Sequence, residues 1–475
     1  MITARKLLTL GTTFFLGILC TAQAIAQSIP AQKQLSTDQL RQDLAYAMDS
    51  IRATHPDPSH SMDEVAFNEQ EEQMAKDVRG PLDIDQAWRL FAKLNPIMAD
   101  GHLLIGYSDW VAATKEHLHN GGVLFPFEVV INDAGKLIVT AKLGGGSTPY
   151  AGRAISSING ISADEVTKTL LARMHGDTTV FRTSLLSNRW WFFYWKMYGA
   201  PERFDIVIGG STARLAGSDA EPVYLAKRSV FDKAFSFKKL PGHAALLTVN
   251  TFSWADRAKF YAFTGQVFKE IKDEGIDVLI VDVRQNGGGD DDMWMQGILR
   301  YIADKPYRWA SGYEKKVTPG HVDAGQQVGE IVRGHIDRLI QPQLDDPLHY
   351  SGKLYLLVGR QTYSSAVLFS NTVQDFRFGT VAGQGGVVRT AQTGGIQSFT
   401  LPNSGLTVTA PRFILTRPSG EAMPIFVEPD VRVTDDPLRP MAAVEEVLRI
   451  AGAEAAQQTP RVEAMKRRTL ASPSR

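Results

Sequence analysis

The spacing of apolar residues predicts helices in the first part of the chain. After Ser36, which can cap a helix, apolar residues recur three or four positions apart at Leu40, Leu44 and Met48. The same spacing returns in two further stretches before the sequence becomes extended. We therefore predict an N-terminal helical domain over residues 37–115.

The pattern becomes mixed between residues 116 and 225. Residues 124–131 and 136–140 predict two strands joined by an Asn-Asp-Ala-Gly turn, and residues 154–166 predict a strand, a turn and a capped helix. Residues 190–195 form a dense aromatic block, Trp-Trp-Phe-Phe-Tyr-Trp. Packing between layers is the favoured interpretation of this block, and a binding wall for substrate is the alternative.

Strands and helices alternate in the last part of the chain, which we assign to residues 226–455. Continuous apolar runs predict buried strands at 244–249, 278–283 and 353–358, and helical spacing is found at 260–271, around 293–302 and after Ser365. Strands that are apolar on both faces indicate a largely parallel sheet covered by helices. The fold class predicted for the whole chain is mixed α/β, that is, α+β overall.

The first residues have the pattern of a secretory signal. Arg5 and Lys6 precede an apolar stretch over residues 7–19, and small residues at alternate positions predict cleavage after Ala26. The apolar stretch is short for a membrane span, so a retained anchor is the less favoured alternative. We therefore expect residues 1–26 to be removed and the protein to be exported, to a periplasm or out of the cell.

Composition narrows the possible partners. Lys and Arg together number 51, as do Asp and Glu, so no basic surface for nucleic acid is implied. Cys20 is the single cysteine and lies in the signal, so the mature chain would have no disulfide. No later stretch predicts a stable membrane span. Residues 27–36 have the composition of a linker and residues 456–475 that of a polar tail.

Ser364 lies where the predicted strand at 353–358 turns into a helix. A hydroxyl at such a sharp turn projects outward, and the helix N-terminus supplies unpaired N–H groups beside it. This arrangement suits a nucleophile whose reaction generates an oxyanion. The alternative is a serine that only caps the helix. Ser365 is a second possible nucleophile.

A glycine-rich loop follows the predicted strand at 278–283, and Gly288 lies within it. Loops at the carboxyl ends of parallel strands gather at one edge of a sheet, so this loop and Ser364 are expected to lie together. No Lys-Ser or Lys-Thr pair follows the glycines, which disfavours a phosphate loop. Three aspartates at 290–292 could suggest a metal, but a solvated helix start is favoured, and we predict neither metal nor cofactor.

Three motifs in this order resemble the tail-specific, or C-terminal processing, protease family. They are Asp-Gly-His at 100–102, Asp-x-Arg-x-Asn-x-Gly-Gly at 282–289 and Thr-x-Ser-Ser-Ala at 362–366. The branch with a tricorn-like core and a catalytic histidine is most similar, over roughly residues 37–450. The resemblance implies a C-terminal core with ClpP/crotonase-like parallel sheet layers and a middle module that is loosely PDZ-like.

The resemblance also implies roles for individual residues. Ser364 matches the nucleophile, His102 the general base, and the N–H groups of Gly288 and Ser365 the oxyanion hole. A glutamate downstream orients the histidine in tricorn-like members, and Glu421 is the nearest match. The mechanism implied is attack of Ser364 on a peptide carbonyl after His102 takes its proton.

Some positions depart from the family pattern. Arg389 stands near the place where many relatives have a lysine base, and arginine stays protonated. Gly101 replaces a serine before the histidine, and Val367 stands where many relatives have glutamate. Glu428 is a second match for the orienting acid.

The function predicted from the sequence is a serine-type peptidase acting on peptides or unfolded chain ends. A catalytically silent binder of peptides or hydrophobic ligands on the same fold is one alternative, because the family includes retinoid-binding relatives. An esterase-type acyl hydrolase is the other, since the same residues cleave esters.

Overall fold

The computed structural model describes residues 33–386 and 388–454. Its helices are α1 (Thr37–Thr54), α2 (Glu64–Asp77), α3 (Ile84–Phe91), α4 (Asn95–Met98), α5 (Trp110–His119), α6 (Ala163–Leu171), α7 (Thr179–Asn188), α8 (Trp190–Tyr198), α9 (Val223–Ser229), α10 (Phe231–Ala234), α11 (Arg257–Asp273), α12 (Asp291–Gly297), α13 (Ser365–Asp375) and a C-terminal helix over 440–454. Short 3₁₀ turns lie at Pro58–His60, Ala92–Leu94 and Leu299–Tyr301.

The strands are short, and most lie in three sheets. They are β1 (Leu104–Gly106), β2 (Phe127–Ile131), β3 (Leu137–Lys142), β4 (Ile155–Ile158), β5 (Ile161–Ser162), β6 (Arg203–Ile208), β7 (Ser211–Ala216), β8 (Phe235–Leu240), β9 (Ala244–Val249), β10 (Val278–Asp282), β11 (Gly312–Lys316), β12 (Ile331–His335), β13 (Lys353–Val358), β14 (Thr380–Gly383), β15 (Val388–Arg389), β16 (Ala391–Thr400), β17 (Thr407–Thr416), β18 (Phe426–Val427) and β19 (Val431–Arg432).

A six-stranded sheet forms the centre of the C-terminal core, in the order β19-β14-β13-β10-β9-β8. All of its pairings are parallel except that of β8 with β9. Successive side chains along its strands point into two apolar layers, one on each face of the sheet. Leu354, Leu356 and Val358 of β13 pack in the layer that includes α11, α12 and α13, whereas Tyr355 and Leu357 pack against the C-terminal helix. Both faces are therefore buried, which explains the continuous apolar runs.

A second, antiparallel sheet brings the N-terminal domain to this core. Its order is β1-β17-β11-β12, with β16 paired to β17. β1 joins it by pairing with β17, with Leu104 opposite Thr409. Because β1 begins two residues after His102, this pairing places a residue of the N-terminal domain beside the C-terminal strands.

The aromatic block lies in α8 and is buried. Trp190, Trp191 and Phe192 are each at most 1% exposed and pack in a large cluster with residues of the N-terminal helices and of the middle region. Packing between layers, the favoured interpretation, matches this position. In the middle region, β2 and β3 form a hairpin and β4 to β7 a four-stranded sheet. The likeness of this region to a PDZ domain stays a prediction.

The mixed α/β fold class is confirmed, with a parallel central sheet and buried strands. β9 and β13 have the predicted bounds. Three predicted elements are shorter: the strand of 124–131 begins at Phe127, the strand of 278–283 ends at Asp282, and the helix around 293–302 is α12 followed by a 3₁₀ turn. The predicted signal, most of the linker and the polar tail lie outside the described residues. No helix among the described residues is long and apolar enough to cross a membrane.

Asn95 fixes β1, and we expect its loss to destabilise the protein. Its buried amide accepts from the N–H of Ile105 at 2.8 Å and donates to the carbonyls of Ile105 and Arg173 at 3.0 and 2.9 Å. Asn95→Ala leaves these buried groups unpaired, so the free energy of unfolding should fall by about 2–3 kcal/mol in urea titrations. The exposed control Asn120→Ala should change it by less than about 0.5 kcal/mol. Equal effects of the two substitutions would contradict this account.

Candidate active site

Ser364 occupies a strained turn between β13 and α13. Its φ and ψ are 55° and −125°, a conformation that costs a non-glycine residue of the order of 1–3 kcal/mol. Its side chain makes no capping hydrogen bond to the helix. The hydroxyl is therefore not engaged as a cap, which was the alternative interpretation of the sequence.

The loop after β10 holds this turn in place. The hydroxyl of Thr362 donates to the carbonyl of Val283 at 2.8 Å and accepts from the N–H of Gly359 at 3.0 Å. The N–H of Tyr363 donates to the carbonyl of Asn286 at 3.0 Å. The side-chain amide of Asn286 donates to the carbonyl of Val249 at the end of β9. These bonds join the carboxyl ends of three neighbouring strands, as expected for a parallel sheet.

Gly288 lies directly against Ser364. A Cβ at this position would lie 2.5 Å from the Cβ of Ser364 and 2.9 Å from the nitrogen of Ser365, so only glycine fits. The N–H of Gly288, however, donates to Oδ1 of Asn286 at 2.8 Å. The N–H of Ser365 opens the helix, and within the described residues no hydrogen bond engages it. The two predicted oxyanion-hole positions are thus adjacent, but the N–H of Gly288 already has an acceptor.

The side chain of Ser365 is held away from any reaction. Its hydroxyl donates to Asp291 and accepts from the indole N–H of Trp294 at 2.9 Å. Burial raises the pKa of Asp291, and these two donors oppose the rise. Asp291 lies in the first turn of α12, as its sequence indicates, but it is a half-buried partner of Ser365 and is not fully solvated. Among the described residues, no group of three or more His, Cys, Asp or Glu is placed to hold a metal ion.

His102 is buried beside β16 and is held by three contacts. Its backbone N–H donates to Oδ1 of Asp100 at 2.7 Å, and its carbonyl accepts from the hydroxyl of Thr409 at 2.8 Å. Its ring nitrogen Nδ1 lies 2.9 Å from the hydroxyl of Thr393, which is itself 3.1 Å from Oδ1 of Asp100. The imidazole is therefore connected to a buried carboxylate through a threonine.

This arrangement selects the tautomer of His102. Burial would raise the pKa of Asp100, but His102, His55 and the N–H of His102 together hold it below its ordinary value, so the carboxylate is ionised. An ionised carboxylate only accepts, so the Thr393 hydroxyl donates to it and must accept from His102. The proton of the neutral imidazole therefore lies on Nδ1, and Nε2 carries the free lone pair.

Burial also keeps His102 neutral near pH 7. It lowers the pKa of the imidazole below its ordinary value, with Asp100 acting in the opposite direction. The half-buried His175 has its pKa lowered to about 3 by desolvation of its ring and by nearby Arg189. A neutral imidazole with a free Nε2 can accept a proton from a hydroxyl, as a general base must.

Tyr363 explains two of the departures from the family pattern. A Cβ on Gly101 would lie 2.5 Å from the Tyr363 ring, so the ring fills the space of a side chain at position 101. The Tyr363 hydroxyl accepts from the N–H of Gly101 and donates to Asp177, both at 2.8 Å. Arg389 pairs with Asp177 at 3.4 Å. Arg389 is therefore a buried ion-pair partner near the site.

The structure does not bring the predicted acids to His102. Glu421 is exposed, and its backbone N–H contacts Ser419. Glu428 is also exposed and pairs with Arg432 at 2.8 Å. Neither lines the cavity described below. Thr393 takes the position next to Nδ1 that an orienting acid would occupy, and Asp100 contacts the threonine hydroxyl.

Ser364 and His102 line one cavity of about 350 Å³. Its walls include Gly288, the ring of Tyr363 and Phe181 of α7. The tyrosine ring packs against both the His102 imidazole and Phe181, with centroids 5.0 and 4.8 Å apart. The cavity thus combines a free serine hydroxyl, a histidine with a free ring nitrogen and an unpaired helix N–H, which is the set that acyl transfer requires.

Comparisons with known proteins agree with a site for acyl transfer. The fold and site define a serine-type hydrolase. Residues 243–433, which carry Gly288 and Ser364, match the model of peptidase family S41, in agreement with the resemblance that the sequence motifs indicate. No curated protein matches the chain.

Two solved structures show the same fold. Mature CPAF complexed with lactacystin is 14% identical, with a TM-score of 0.61, and the match covers 87% of this chain and 97% of that one. A CPAF mutant is also 14% identical, with a TM-score of 0.60 and coverage of 84% and 93%. Because these matches cover far more of the chain than residues 243–433, the likeness of fold extends beyond the part that the family model matches.

Sequence reasoning misses the partners of His102. Asp100 stands two residues before the histidine, and that spacing is the one signal that could have suggested a contact with its N–H. Thr393 is 291 residues away in a strand, and nothing in the sequence around it indicates a role. Tyr363 adjoins Ser364, but its contacts with Gly101 and Asp177 depend on the fold.

The tautomer can be tested directly by nitrogen NMR. With ¹⁵N-labelled histidine, His102 should show a protonated Nδ1 and an unprotonated Nε2 at pH 7, assigned by loss of the signal in His102→Ala. Thr393→Val removes the acceptor, so the Nε2–H tautomer should become populated. The control Thr409→Val removes a bond to the His102 carbonyl and should leave the ring signals in place. An Nε2–H form in the unaltered protein would contradict the assignment.

Proposed function

We propose that the protein is a serine-type peptidase in which Ser364 is the nucleophile and His102 is the general base. One observation carries the proposal: a serine in a strained turn faces the same cavity as a neutral histidine whose Nε2 is free. A strained backbone conformation lowers folding stability, and such conformations are found mostly at functional sites. The family match over residues 243–433 supports the same reaction class.

The reaction follows from these positions. Nε2 of His102 takes the proton of the Ser364 hydroxyl while its oxygen bonds to the peptide carbonyl carbon. The N–H of Ser365 donates to the oxygen that becomes negative, and Gly288 joins it if its N–H turns from Asn286 to the substrate. His102 then gives its proton to the leaving amine, and water attacks the acyl-enzyme by the same route.

Asp100 acts through Thr393 in this mechanism. The carboxylate fixes the threonine hydroxyl, and the hydroxyl fixes Nδ1–H of His102. When Nε2 gains a proton, the imidazolium lies close to the buried carboxylate, which stabilises the positive charge. We assign Asp100 and Thr393 as positioning residues, in place of Glu421.

Peptides or unfolded chain ends are the substrates we propose. The alternative of a silent binder that uses the aromatic block has little support, since the block is buried in the core and does not line the cavity. An esterase on the same residues remains the second candidate, favoured only by the generality of acyl-transfer chemistry. We also propose export, on the basis of the signal pattern of residues 1–26, and N-terminal sequencing of protein recovered outside the cytoplasm would test it.

The nucleophile can be identified with a fluorophosphonate probe and a peptide library. The probe should label Ser364, and both labelling and peptide cleavage should fall by at least about 1,000-fold in Ser364→Ala and His102→Ala. Ser253 lines the same cavity, so Ser253→Ala is a matched control that should keep its labelling. A folded protein that is unlabelled and cleaves no peptide would leave the binder as the better proposal. Turnover of esters alone would favour the esterase.

The pH profile of cleavage tests the base. Activity requires neutral His102, whose pKa burial holds below its ordinary value of about 6.5. The value of kcat/KM should therefore rise with pH through a midpoint below 6.5 and be constant at pH 7. Measurement from pH 4 to pH 9 gives the midpoint. A midpoint at or above pH 7.5 would exclude His102 in this environment as the base.

A further inference from the structure

The cavity that holds Ser364 is lined by cations and by no acid. Among the described residues that line it, Lys227 and Arg228 are positive, and none is Asp or Glu. His175 also lines the cavity, but its pKa of about 3 keeps it neutral. The only formal charges that a substrate meets on these lining residues are therefore positive.

Lys227 is the cation that a substrate would reach. It lies in α9, is partly buried, and lines both this cavity and a neighbouring one of about 320 Å³. The two cavities share Tyr224, Lys227 and Gln285, so Lys227 stands where they meet. Within the described residues, no hydrogen bond or ion pair engages its ammonium, and burial lowers its pKa.

Among the described residues, the acids that act on Lys227 do not neutralise it by direct contact. Glu128 and, more weakly, Asp282 raise the pKa of Lys227 without an ion pair. One Glu128 oxygen accepts the N–H groups of Gly144 and Val223 at 3.0 and 2.8 Å, and Asp282 pairs with Arg284. The pKa of Glu128 is itself raised by burial. Arg228, the second cation, is exposed, and its guanidinium lies 5.7 Å from the centroid of the Trp110 ring, which does not line the cavity.

A partly buried ammonium without an ion-pair partner costs folding energy unless a bound anion compensates it. Such a group beside a reactive serine is well placed to bind the substrate. Resting on the peptidase function proposed above, we propose that Lys227 forms a carboxylate-binding subsite of the cavity. The substrates are then peptides that present an acidic side chain or a free C-terminal carboxylate near the bond that is cut.

Peptide pairs that match in shape and differ in charge test this subsite. Fluorescent hexapeptide pools are made degenerate except for one position fixed as Glu or as its neutral isostere Gln, each with a free or an amidated C-terminus. Binding is measured by anisotropy to Ser364→Ala, which cannot turn the peptides over. The carboxylate form should bind about 10-fold to 100-fold more tightly, as expected for a charge-assisted contact.

Lys227→Met in the Ser364→Ala protein should abolish this preference. The substitution keeps an unbranched side chain of similar length and removes only the charge. Lys233→Met is the matched control, because Lys233 is exposed and does not line the cavity. It should keep the full preference. Circular dichroism and thermal melting check that both variants are folded.

The pools also separate the two sources of the carboxylate. A preference tied to one Glu position, with amidated and free ends equal, assigns an acidic side chain. If amidation of the C-terminus removes the preference for both Glu and Gln pools, the carboxylate that binds is the chain terminus. No preference in the Ser364→Ala protein, no binding of any pool, or a preference that survives Lys227→Met would overturn the proposal.

Failure of this proposal is distinguishable from failure of the peptidase function. The binding measurements need no turnover, so they decide on Lys227 even if the protein cleaves nothing. Where cleavage occurs, kcat/KM for the Glu and Gln peptides should change by the same factor as binding. An active Lys227→Met enzyme that still prefers Glu peptides would leave the peptidase in place and remove the subsite.

Discussion

The buried carboxylate of Asp100 is the contact on which the site depends, because it joins segments that are far apart in the chain. It accepts from the N–H of His102 in its own turn, from the hydroxyl of Thr393 in β16 and from Ser61 near the start of the chain. A fully buried carboxylate must have such donors, since an unpaired charge would cost several kcal/mol. The requirement to satisfy one acid therefore fixes the position and the tautomer of the histidine.

The serine is positioned mainly by close steric packing, whereas the histidine is positioned by hydrogen bonds to a buried acid. The turn at Ser364 is strained, and it persists because Gly288 fits against it and Thr362 and Asn286 bind it to the neighbouring loop. Neither the glycine nor the turn can shift alone. The nucleophile is thus held by the parallel sheet, whereas the histidine is held by the antiparallel sheet, and β1 is the element that joins the N-terminal domain to that second sheet.

The sequence predicts local features of this molecule far better than its distant contacts. Strands such as β9 and β13 are apolar on both faces, so their bounds follow from the sequence alone, and the turn at Ser364 follows from the strand before it and the helix after it. The antiparallel sheet is not predicted, because its strands are half exposed and distant in sequence. Thr393 and Tyr363 are missed for the same reason. Glu421 is chosen from the spacing of relatives, and spacing does not determine which acid reaches a buried histidine.

The departures from the family pattern are coupled to one another. Where tricorn-like relatives have a serine before the histidine, this chain has Gly101, and the ring of Tyr363 occupies the vacated space. The tyrosine hydroxyl then bonds both Gly101 and Asp177, and Asp177 in turn balances Arg389 at the place where other relatives have a lysine. Changing any one of these residues alone would leave a clash, an unpaired polar group or a buried unpaired charge. The set is therefore a self-consistent way to hold the histidine, and single departures from a motif are poor grounds for judging such a site inactive.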